Sequence, residues 1–431
     1  RDGRQRSVVA MKPSTFFRRA GAIAAAALIL RVGYVLALGT HPKLGIDGTW
    51  YALQAGTIAD GLGYLDVGRY FALRGAVPTA QFPPLWPAVL SLFHVAGVDS
   101  LFGYRFVGAF VGTTTVFTTA CIGRRLVGAR TGLVAATIMA VSPWMTAADG
   151  SLMAESLFVA FVTIAVLIAV QLHEHPSRWR FALLGLVLGL ATMTRTDGVI
   201  IGAVLVAATA WRTPGLPRRR LALGALAGGV LLMVLVPWTI RNQNSFGTFV
   251  PVSNNSGSLI GGSNCASTYS SDIGGWDFAC IRAIEASGRS EVVRTDRERS
   301  AGLAYARHHL ARFAMTVPVR VLRGWGLWSP VVLADAEAGE SRNRTMQLVG
   351  WPIELGILGL GAIGAVVAIR ARVPVALLFT VIGAATLVLV MSWGNQRFRI
   401  VAAPEVGVFA AIALDSMWTR TRPGDAVVLE G

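Results

Sequence analysis

The chain has 431 residues, of which 54% are hydrophobic and only 14% are charged, whereas soluble domains carry about 25% charged residues. This composition, with apolar runs of roughly 18 residues or more along the chain, excludes an ordinary soluble enzyme and predicts an all-α polytopic membrane protein. The formal net charge is +16, and because no basic and aromatic platform forms a separate domain, we attribute it to cytoplasmic loops and anionic membrane lipids, with no nucleic-acid partner.

Ten apolar segments predict transmembrane helices. They lie at residues 18–39, 104–126, 130–146, 152–172, 180–195, 198–212, 221–240, 348–370, 373–393 and 400–418. Residues 83–97 are apolar but short, so they predict an interfacial or re-entrant segment. Met11 is the expected start, with residues 1–10 as an upstream extension or a remnant of expression. The first segment also resembles a signal peptide, but the many later spans favour an uncleaved helix.

Arginine-rich loops recur on one side of this bundle. They contain Arg18, Arg19 and residues 123–130, 177–180, 212–220, 370–372 and 419–422. Because cytoplasmic loops are enriched in Lys and Arg, we place this side and both termini in the cytoplasm. The Arg-, Ala- and Val-rich composition favours a bacterium, so the expected location is the bacterial plasma membrane, within the cell envelope.

The predicted domain boundaries follow from this orientation. Residues 1–17 and 419–431 form cytoplasmic tails, 18–240 an N-terminal transmembrane module, and 348–418 the C-terminal transmembrane helices. Two larger segments face the outside. Residues 40–103 form an amphipathic first outer loop, and residues 241–347 form an extracytoplasmic domain that we expect to be small and either α+β or mostly irregular.

The three cysteines fall into two classes. Cys265 and Cys280 both lie in the outer domain, where a disulfide is permitted, so we expect them to pair; the alternative is two unpaired thiols. Cys121 lies within a predicted span and is expected to be an inert core residue. No Cys and His spacing suggests a zinc site.

Charged residues at the outer ends of the apolar segments form the main functional signal. They are Asp47, Arg105, Asp149, Glu155, Arg195, Asp197, Arg241, Arg397 and Arg399. Charge at this depth in a membrane is costly and is usually functional. We therefore expect Asp47 to lie within about 10 Å of at least one outer arginine, since a shared site needs direct or water-bridged contact.

Each of these residues also has a structural interpretation. Asp47 is a suitable N-cap for a helix beginning near Gly48, and Glu155 suits the dipole at the first turn of a helix. The remaining alternatives are a solvated loop position for Asp149, a local pair of Arg195 with Asp197, and interfacial anchoring by Arg241, Arg397 and Arg399.

One chemistry would use all of these residues together. Arginine binds phosphate bidentately and stays charged, so several arginines at the outer membrane face suit the phosphate of a lipid. A sugar on that phosphate already has a leaving group, and one carboxylate suffices to deprotonate an acceptor hydroxyl. Hydrolysis of a glycoside would need two carboxylates flanking the bond. The residue types favour transfer from a lipid phosphate.

Seven segments in chain order carry a family resemblance. They are GIDGTWYALQAGTIADG (45–61), FPPLWPAVLSL (82–92), YRFVGAFVGTTTV (104–116), SPWMTAADGSLMAESLF (142–158), TRTDG (194–198), VPWTIRNQNSFGTFVPVSNNSGSLIGGSN (236–264) and NQRFRIVAAPEV (395–406). Together they resemble the GT-C glycosyltransferases, in the branch of the protein O-mannosyltransferases and lipid A aminoarabinose transferases. The resemblance extends over nearly the whole chain and implies a bundle of about ten transmembrane helices.

The resemblance implies inverting transfer from a polyprenyl-phosphate-linked sugar to a glycan, lipid or protein acceptor on the extracytoplasmic face. Asp47 would be the catalytic base, and Tyr51 would share its helix face. Glu155 and Asp149 would assist in acceptor or sugar recognition. The candidates for the lipid phosphate are Arg105, Arg195, Arg241, Arg397 and Arg399, with Arg397 and Arg241 the first choices.

Two departures from the family pattern bear on the chemistry. Many members have a second acid directly after the first, where this chain has Gly48. Because hard cations need several oxygen ligands, this favours a metal-independent site with no cofactor, although a divalent cation stays open. Members also often have Lys or His before the Pro-Pro pair, where this chain has Gln81 and Phe82, so no phosphate or base role is assigned there.

Two other functional classes compete with the glycosyltransferase. A transporter or lipid flippase would use broken helices and charges near the bilayer midplane, where Arg31 is the main candidate; it is also able to pair within the bundle. A non-enzymatic assembly or polymer-binding membrane protein would not need Asp47 and the outer arginines to share one site.

Overall fold

The computed structural model describes residues 11–39, 45–285 and 290–421. Within these ranges the chain is almost entirely helical, and an isolated bridge between Leu65 and Pro78 is the sole β-pairing. The predicted all-α fold class is confirmed. Residues 1–10 and the last part of the predicted C-terminal tail lie outside the described residues.

The helices of the first half begin with the long α1. They are α1 (Pro13–Leu38), α2 (Ile46–Ala59), α3 (Val67–Leu73), α4 (Leu85–Val95), α5 (Leu101–Leu126), α6 (Ala129–Val141), α7 (Pro143–Asp149), α8 (Glu155–Glu174), α9 (Arg178–Thr194), α10 (Gly198–Arg212) and α11 (Pro217–Phe246). The second half contains α12 (Ser256–Ser263), α13 (Ala279–Glu285), α14 (Glu291–His308), α15 (Leu310–Gly324), α16 (Pro330–Gly339), α17 (Arg344–Arg370), α18 (Ala376–Met391), α19 (Gln396–Arg399) and α20 (Ala403–Thr421).

Six helical stretches among the described residues are long and apolar enough to cross a membrane. They are α1, α5, α8, α11, α17 and the run Gln396–Trp418, and the bent pair α6–α7 makes a seventh. Helices occupy the other predicted spans too, but α10 has 15 residues and α18 has 16, short of the ~20 that cross a bilayer core. The chain is thus a multi-pass membrane protein, with fewer full-length spans than the ten predicted.

The predicted span 130–146 is broken where α6 meets α7, with a bend of 61°. Pro143 has no N–H, so the carbonyl of Met139 loses its helical partner inside the bundle. Arg31 of α1 donates to the carbonyls of Met139 and Ala140, both at 3.2 Å. Its Nε also pairs with Asp149 at 2.6 Å. Arg31 therefore pairs within the bundle and stabilises the broken helix.

Replacing Arg31 with methionine should lower the free energy of unfolding by about 3–5 kcal/mol, because it leaves the buried carboxylate of Asp149 without its partner. The double variant Arg31→Met/Asp149→Asn should recover a large part of the loss. Thermal unfolding in detergent measures both, with the exposed Arg19→Met on the same helix as the matched control. A loss no larger than that of the control would show that the ion pair does not stabilise the break.

The outer region after α11 is helical, which differs from the α+β or irregular domain expected. Helices α12 and α14 pack closely, since a Cβ on Gly257 would lie 2.0 Å from the carbonyl oxygen of Thr295. Cys265 and Cys280 form a disulfide with a Cα–Cα distance of 6.3 Å. This region packs against the segment between α1 and α5: Asn254 and Glu291 hydrogen-bond each other and the backbone of Ala80.

Candidate active site

Five charged side chains from five separate segments meet in one cluster. They are Asp47 of α2, Glu155 of α8, Arg195 between α9 and α10, Glu340 after α16, and Arg397 of α19. We call these five residues the charged cluster. Four of them were named from the sequence, and the fifth, Glu340, was not.

Arg397 lies at the centre of the charged cluster. Its Nε donates to Glu155 at 2.8 Å, and its Nη1 donates to Asp47 at 3.0 Å and to Glu340 at 2.6 Å. Within the described part of the chain, no hydrogen bond is formed by its Nη2. The three carboxylates thus converge on one guanidinium group and leave one edge of it open.

Arg195 also donates to Glu155, the carboxylate that Arg397 contacts through Nε. Its Nη1 donates to Glu155 at 2.5 Å, while its Nε and Nη2 contact Asp197 at 3.1 and 2.9 Å. Glu155 is fully buried, and a buried carboxylate needs such partners because desolvation disfavours its charge. Arg195 does pair locally with Asp197, as the structural alternative expected, but it also joins Glu155.

The start of α2 fixes the position of Asp47. Gly45 is the N-cap residue and no side chain caps this helix, so Asp47 is a first-turn residue and not the cap that was considered. A Cβ on Gly45 would lie 2.0 Å from the carbonyl oxygen of Gly339. Gly45 also donates its N–H to Ser341 Oγ at 2.6 Å. These contacts hold Asp47 beside Glu340.

The glycine at position 48 has a packing role. A Cβ there would lie 2.8 Å from Ser341 Oγ and 3.6 Å from the backbone oxygen of Ser151. A side chain after Asp47 would therefore displace the hydroxyl group of Ser341 from its present position. The departure noted in the sequence follows from the close approach of α2 to the segment that carries Glu340.

Tyr51 lies one turn after Asp47 and is 2% exposed. Burial raises the pKa of its phenol, and the neighbouring carboxylate of Asp47 raises it further. Its ring contacts Trp50 and Phe82, with ring centroids 5.8 and 5.2 Å away. Tyr51 therefore stays neutral and forms part of an aromatic wall beside the charged cluster.

A cleft of about 250 Å³ opens beside the charged cluster. Asp47, Arg195 and Arg397 line its charged end. The rest of the wall is apolar and comes largely from α10, α12 and α18: Ile200, Leu259, Ile260, Val388, Met391 and Phe398. A polar rim from the segment before α12 contains Ser253, Asn255 and Ser256. The cleft therefore suits a ligand with an anionic head and an apolar tail.

Two residues predicted to contact substrate are absent from the cluster. Asp149 is fully buried against Arg31 and lines no part of the cleft, so it is not the solvated residue considered, and its role in substrate recognition stays a prediction. Arg105 is also buried, within α5, and its Nε and Nη1 have no hydrogen-bond partner among the described residues. Both are held by the packing around α5.

Two further arginines also lie outside the cluster. Arg241, a first choice for the phosphate, donates to the carbonyls of Thr79 and Tyr64 at 2.7 and 2.6 Å and ties α11 to the first outer loop. Arg399 lies 4.7 Å from the ring of Trp144 and 3.7 Å from Glu354. Both guanidinium groups are held by neighbouring elements, and Arg399 is buried rather than an interfacial anchor.

Within the described ranges, no group of three or more His, Cys, Asp or Glu side chains is arranged to hold a metal ion. The carboxylates of the charged cluster point at a guanidinium group, which supplies the positive charge that their proximity requires. Arg195 and Arg397 thus offset two of the three carboxylate charges of the cluster.

Comparison with known proteins gives this geometry a context. Residues 81–240 match the family described as dolichyl-phosphate-mannose-protein mannosyltransferase. The oligosaccharyltransferase of Archaeoglobus fulgidus in the apo form has a similar structure, with a TM-score of 0.57 and 14% identity, over 96% of this chain and 51% of that one. This chain therefore shares its fold with the oligosaccharyltransferase.

Two further solved structures have a measurable likeness to this chain. The same Archaeoglobus fulgidus protein in complex with an inhibitory peptide and a dolichol-phosphate matches with a TM-score of 0.54 and 14% identity, over 95% of this chain and 52% of that one. ArnT from Cupriavidus metallidurans bound to undecaprenyl phosphate gives a TM-score of 0.45 and 16% identity, over 95% and 79% of the two chains. The chain spans about half the length of the oligosaccharyltransferase. No curated protein matches by sequence.

Proposed function

We propose that this protein transfers a sugar from a polyprenyl-phosphate-linked donor to an acceptor hydroxyl, with inversion, at the outer face of the membrane. The observation that carries the proposal is the cleft, which joins two arginines and the carboxylates of Asp47 and Asp197 to an apolar wall between α10 and α18. A lipid-linked phosphate has the same division between an anionic head and an apolar chain. The dolichol-phosphate bound by the Archaeoglobus fulgidus protein is a ligand of this kind.

In this mechanism Arg397 and Arg195 hold the donor phosphate. Arginine contacts on the phosphate oxygens stabilise the charge that grows as the bond to the sugar breaks. The isoprenoid chain then lies along Ile200, Val388 and Met391. Because the leaving phosphate already carries negative charge, no general acid is required.

Asp47 acts as the general base of the reaction. Its side chain is 24% exposed, the most accessible carboxylate in the charged cluster, so an acceptor hydroxyl is able to reach it. It removes the proton as the oxygen attacks the anomeric carbon on the face opposite the phosphate. Glu155, which is buried between the two arginines, positions them and does not touch the acceptor.

The orientation of the site completes the proposal. The arginine-rich loops place both termini in the cytoplasm, so the charged cluster faces the extracytoplasmic side of a bacterial plasma membrane. An acceptor glycan, lipid or protein approaches from there, past the rim of Ser253, Asn255 and Ser256.

Transfer should continue when divalent cations are removed. Arg195 and Arg397 contact the carboxylates of the charged cluster directly, so we expect them to supply the positive charge that a metal would otherwise provide. The measurement is the rate of sugar transfer by the reconstituted protein before and after EDTA treatment. A loss of rate that magnesium or manganese restores would contradict a metal-independent site.

The proposed activity is tested with purified protein in nanodiscs. Labelled polyprenyl-phosphate sugars should be consumed with release of polyprenyl phosphate when an acceptor extract is added, whereas nucleotide sugars should not react. A panel of arabinose, mannose, galactose and aminoarabinose donors identifies the sugar. Donor binding without turnover of any sugar in the panel would favour a lipid-binding or flippase role instead.

A further inference from the structure

The hydrogen bonds of Arg397 limit how it is able to hold a phosphate. A bidentate grip across the end of the guanidinium group uses one N–H from Nη2 and one from Nη1. In the structure Nη1 already donates to Asp47 and to Glu340, and Nη2 has no partner among the described residues. An end-on grip therefore requires one of the two carboxylates on Nη1 to give way, whereas a grip from the side through Nε and Nη2 would displace Glu155, which Arg195 also holds.

We propose that Glu340 is the carboxylate that gives way: it holds Arg397 in the empty cleft and takes up a proton from solvent when the donor phosphate replaces it. Glu340 is thus a positioning residue that acts through Arg397. The inference rests on the proposed function, because it assumes that the ligand of Arg397 is a phosphate ester.

The surroundings of Glu340 favour its neutral form. Burial is the main cause that raises its pKa; Arg397 opposes the rise, the carboxylates of Asp47, Glu155 and Glu337 support it, and the net pKa is about 7. An approaching phosphate brings further negative charge to the same guanidinium group, so it favours protonation of Glu340 still more. Asp47 must keep its charge to act as a base, so it is less suited to give way.

The loop that carries Glu340 is fixed in place. Ser341 accepts the N–H of Gly45, and it adopts a left-handed backbone conformation with φ of 65°. The buried ion pair of Arg342 with Glu337 closes the same turn. The backbone at Glu340 is therefore fixed by contacts that do not depend on Arg397, so the exchange with a phosphate requires only its side chain to move.

The expected pH dependence follows from this exchange. Below about pH 7 Glu340 is protonated and Nη1 of Arg397 is available to the phosphate, so donor affinity is at its maximum. Above about pH 7 the affinity falls, because the ionised carboxylate of Glu340 competes with the phosphate for Nη1. If only the protonated form binds, the apparent Kd rises about tenfold between pH 6 and pH 8. A phosphate monoester titrates in the same range, so the probe must be a diester.

The test is a pH series of Kd for farnesyl methyl phosphate, measured by isothermal titration on the full chain in nanodiscs. Wild type should show the tenfold rise. Glu340→Gln, which imitates the protonated form, should bind at pH 8 as wild type binds at pH 6, with a flat profile. Glu340→Asp should restore a slope, and Asp335→Asn, an exposed acid on the preceding helix, should behave as wild type. With the lipid-linked donor, Glu340→Gln should lower KM at pH 8 without raising kcat.

The possible outcomes separate this inference from the proposed function. A wild-type profile without a slope, or a slope that persists in Glu340→Gln, overturns the role of Glu340 while phosphate binding in the cleft stands. Absence of binding in every variant at every pH overturns both. A slope that disappears in Glu340→Gln and returns in Glu340→Asp supports the inference.

Discussion

Replacing Asp47 with asparagine should reduce sugar transfer by about 10²–10⁴-fold, the usual contribution of a general base. Asparagine keeps the shape of the side chain and is able to accept the hydrogen bond from Arg397, so the cluster should hold together. It cannot take a proton from the acceptor hydroxyl. Donor binding, measured separately with the same diester probe, should therefore change little while kcat falls.

The exposed Asp60 at the end of the same helix provides the matched control for this experiment. It lies outside the charged cluster and the cleft, so Asp60→Asn should transfer sugar at the wild-type rate. Asp47→Ala should lose transfer to the same degree as Asp47→Asn. If sugar transfer survives both changes at Asp47, another group removes the proton and the base assignment fails.

The helical framework was largely predictable because membrane spans have a strong hydropathy signal. Two features needed more than hydropathy. The break between α6 and α7 depends on Pro143 and on Arg31, which donates to the carbonyls left without helical partners. Hydropathy does not reveal this break, because the segment is apolar on both sides of it. The outer region shows a polar composition that is typical of irregular structure, yet α12 and α14 pack there through a glycine contact that no periodicity reveals.

The candidate site was predictable in part. Charged residues are costly at the membrane interface, so those that the sequence places at that depth are candidates for function. That signal named Asp47, Glu155, Arg195 and Arg397. It could not tell these from Arg241 or the other outer arginines, because sequence gives the depth of a side chain and not its direction. The directions come from tertiary contacts such as the one between Arg241 and the carbonyl of Tyr64.

Glu340 escaped prediction for a related reason. It follows a short helix in a region with ordinary solvated charge, and nothing in the sequence around Gly339 and Ser341 distinguishes it from an exposed loop residue. What brings it to Arg397 is the absence of a side chain at Gly45, which lets two distant backbones approach. Such a contact joins positions nearly three hundred residues apart, beyond any local pattern.

Replacing Arg397 with lysine should weaken donor binding by about 10–100-fold, because charge-assisted hydrogen bonds contribute about 1.5–3 kcal/mol each and lysine cannot form a bidentate pair. Lysine keeps a positive charge among Asp47, Glu155 and Glu340, so the carboxylates are not left uncompensated and the fold should persist. The expected change is therefore in Kd for the lipid phosphate, with thermal stability reduced less than by Arg397→Ala.

Arg399→Lys is the matched control for Arg397→Lys, because Arg399 lies two residues further along the chain and carries the same charge. Its guanidinium group stacks on Trp144 and lies beside Glu354, outside the charged cluster, so the change should lower thermal stability and leave Kd for the diester probe as in wild type. If Arg399→Lys weakens donor binding as much as Arg397→Lys does, the result contradicts a specific contact between the phosphate and Arg397. Because one of these side chains faces the cleft and the other packs behind it, a clear difference in Kd would place the phosphate at Arg397, within reach of the base on α2.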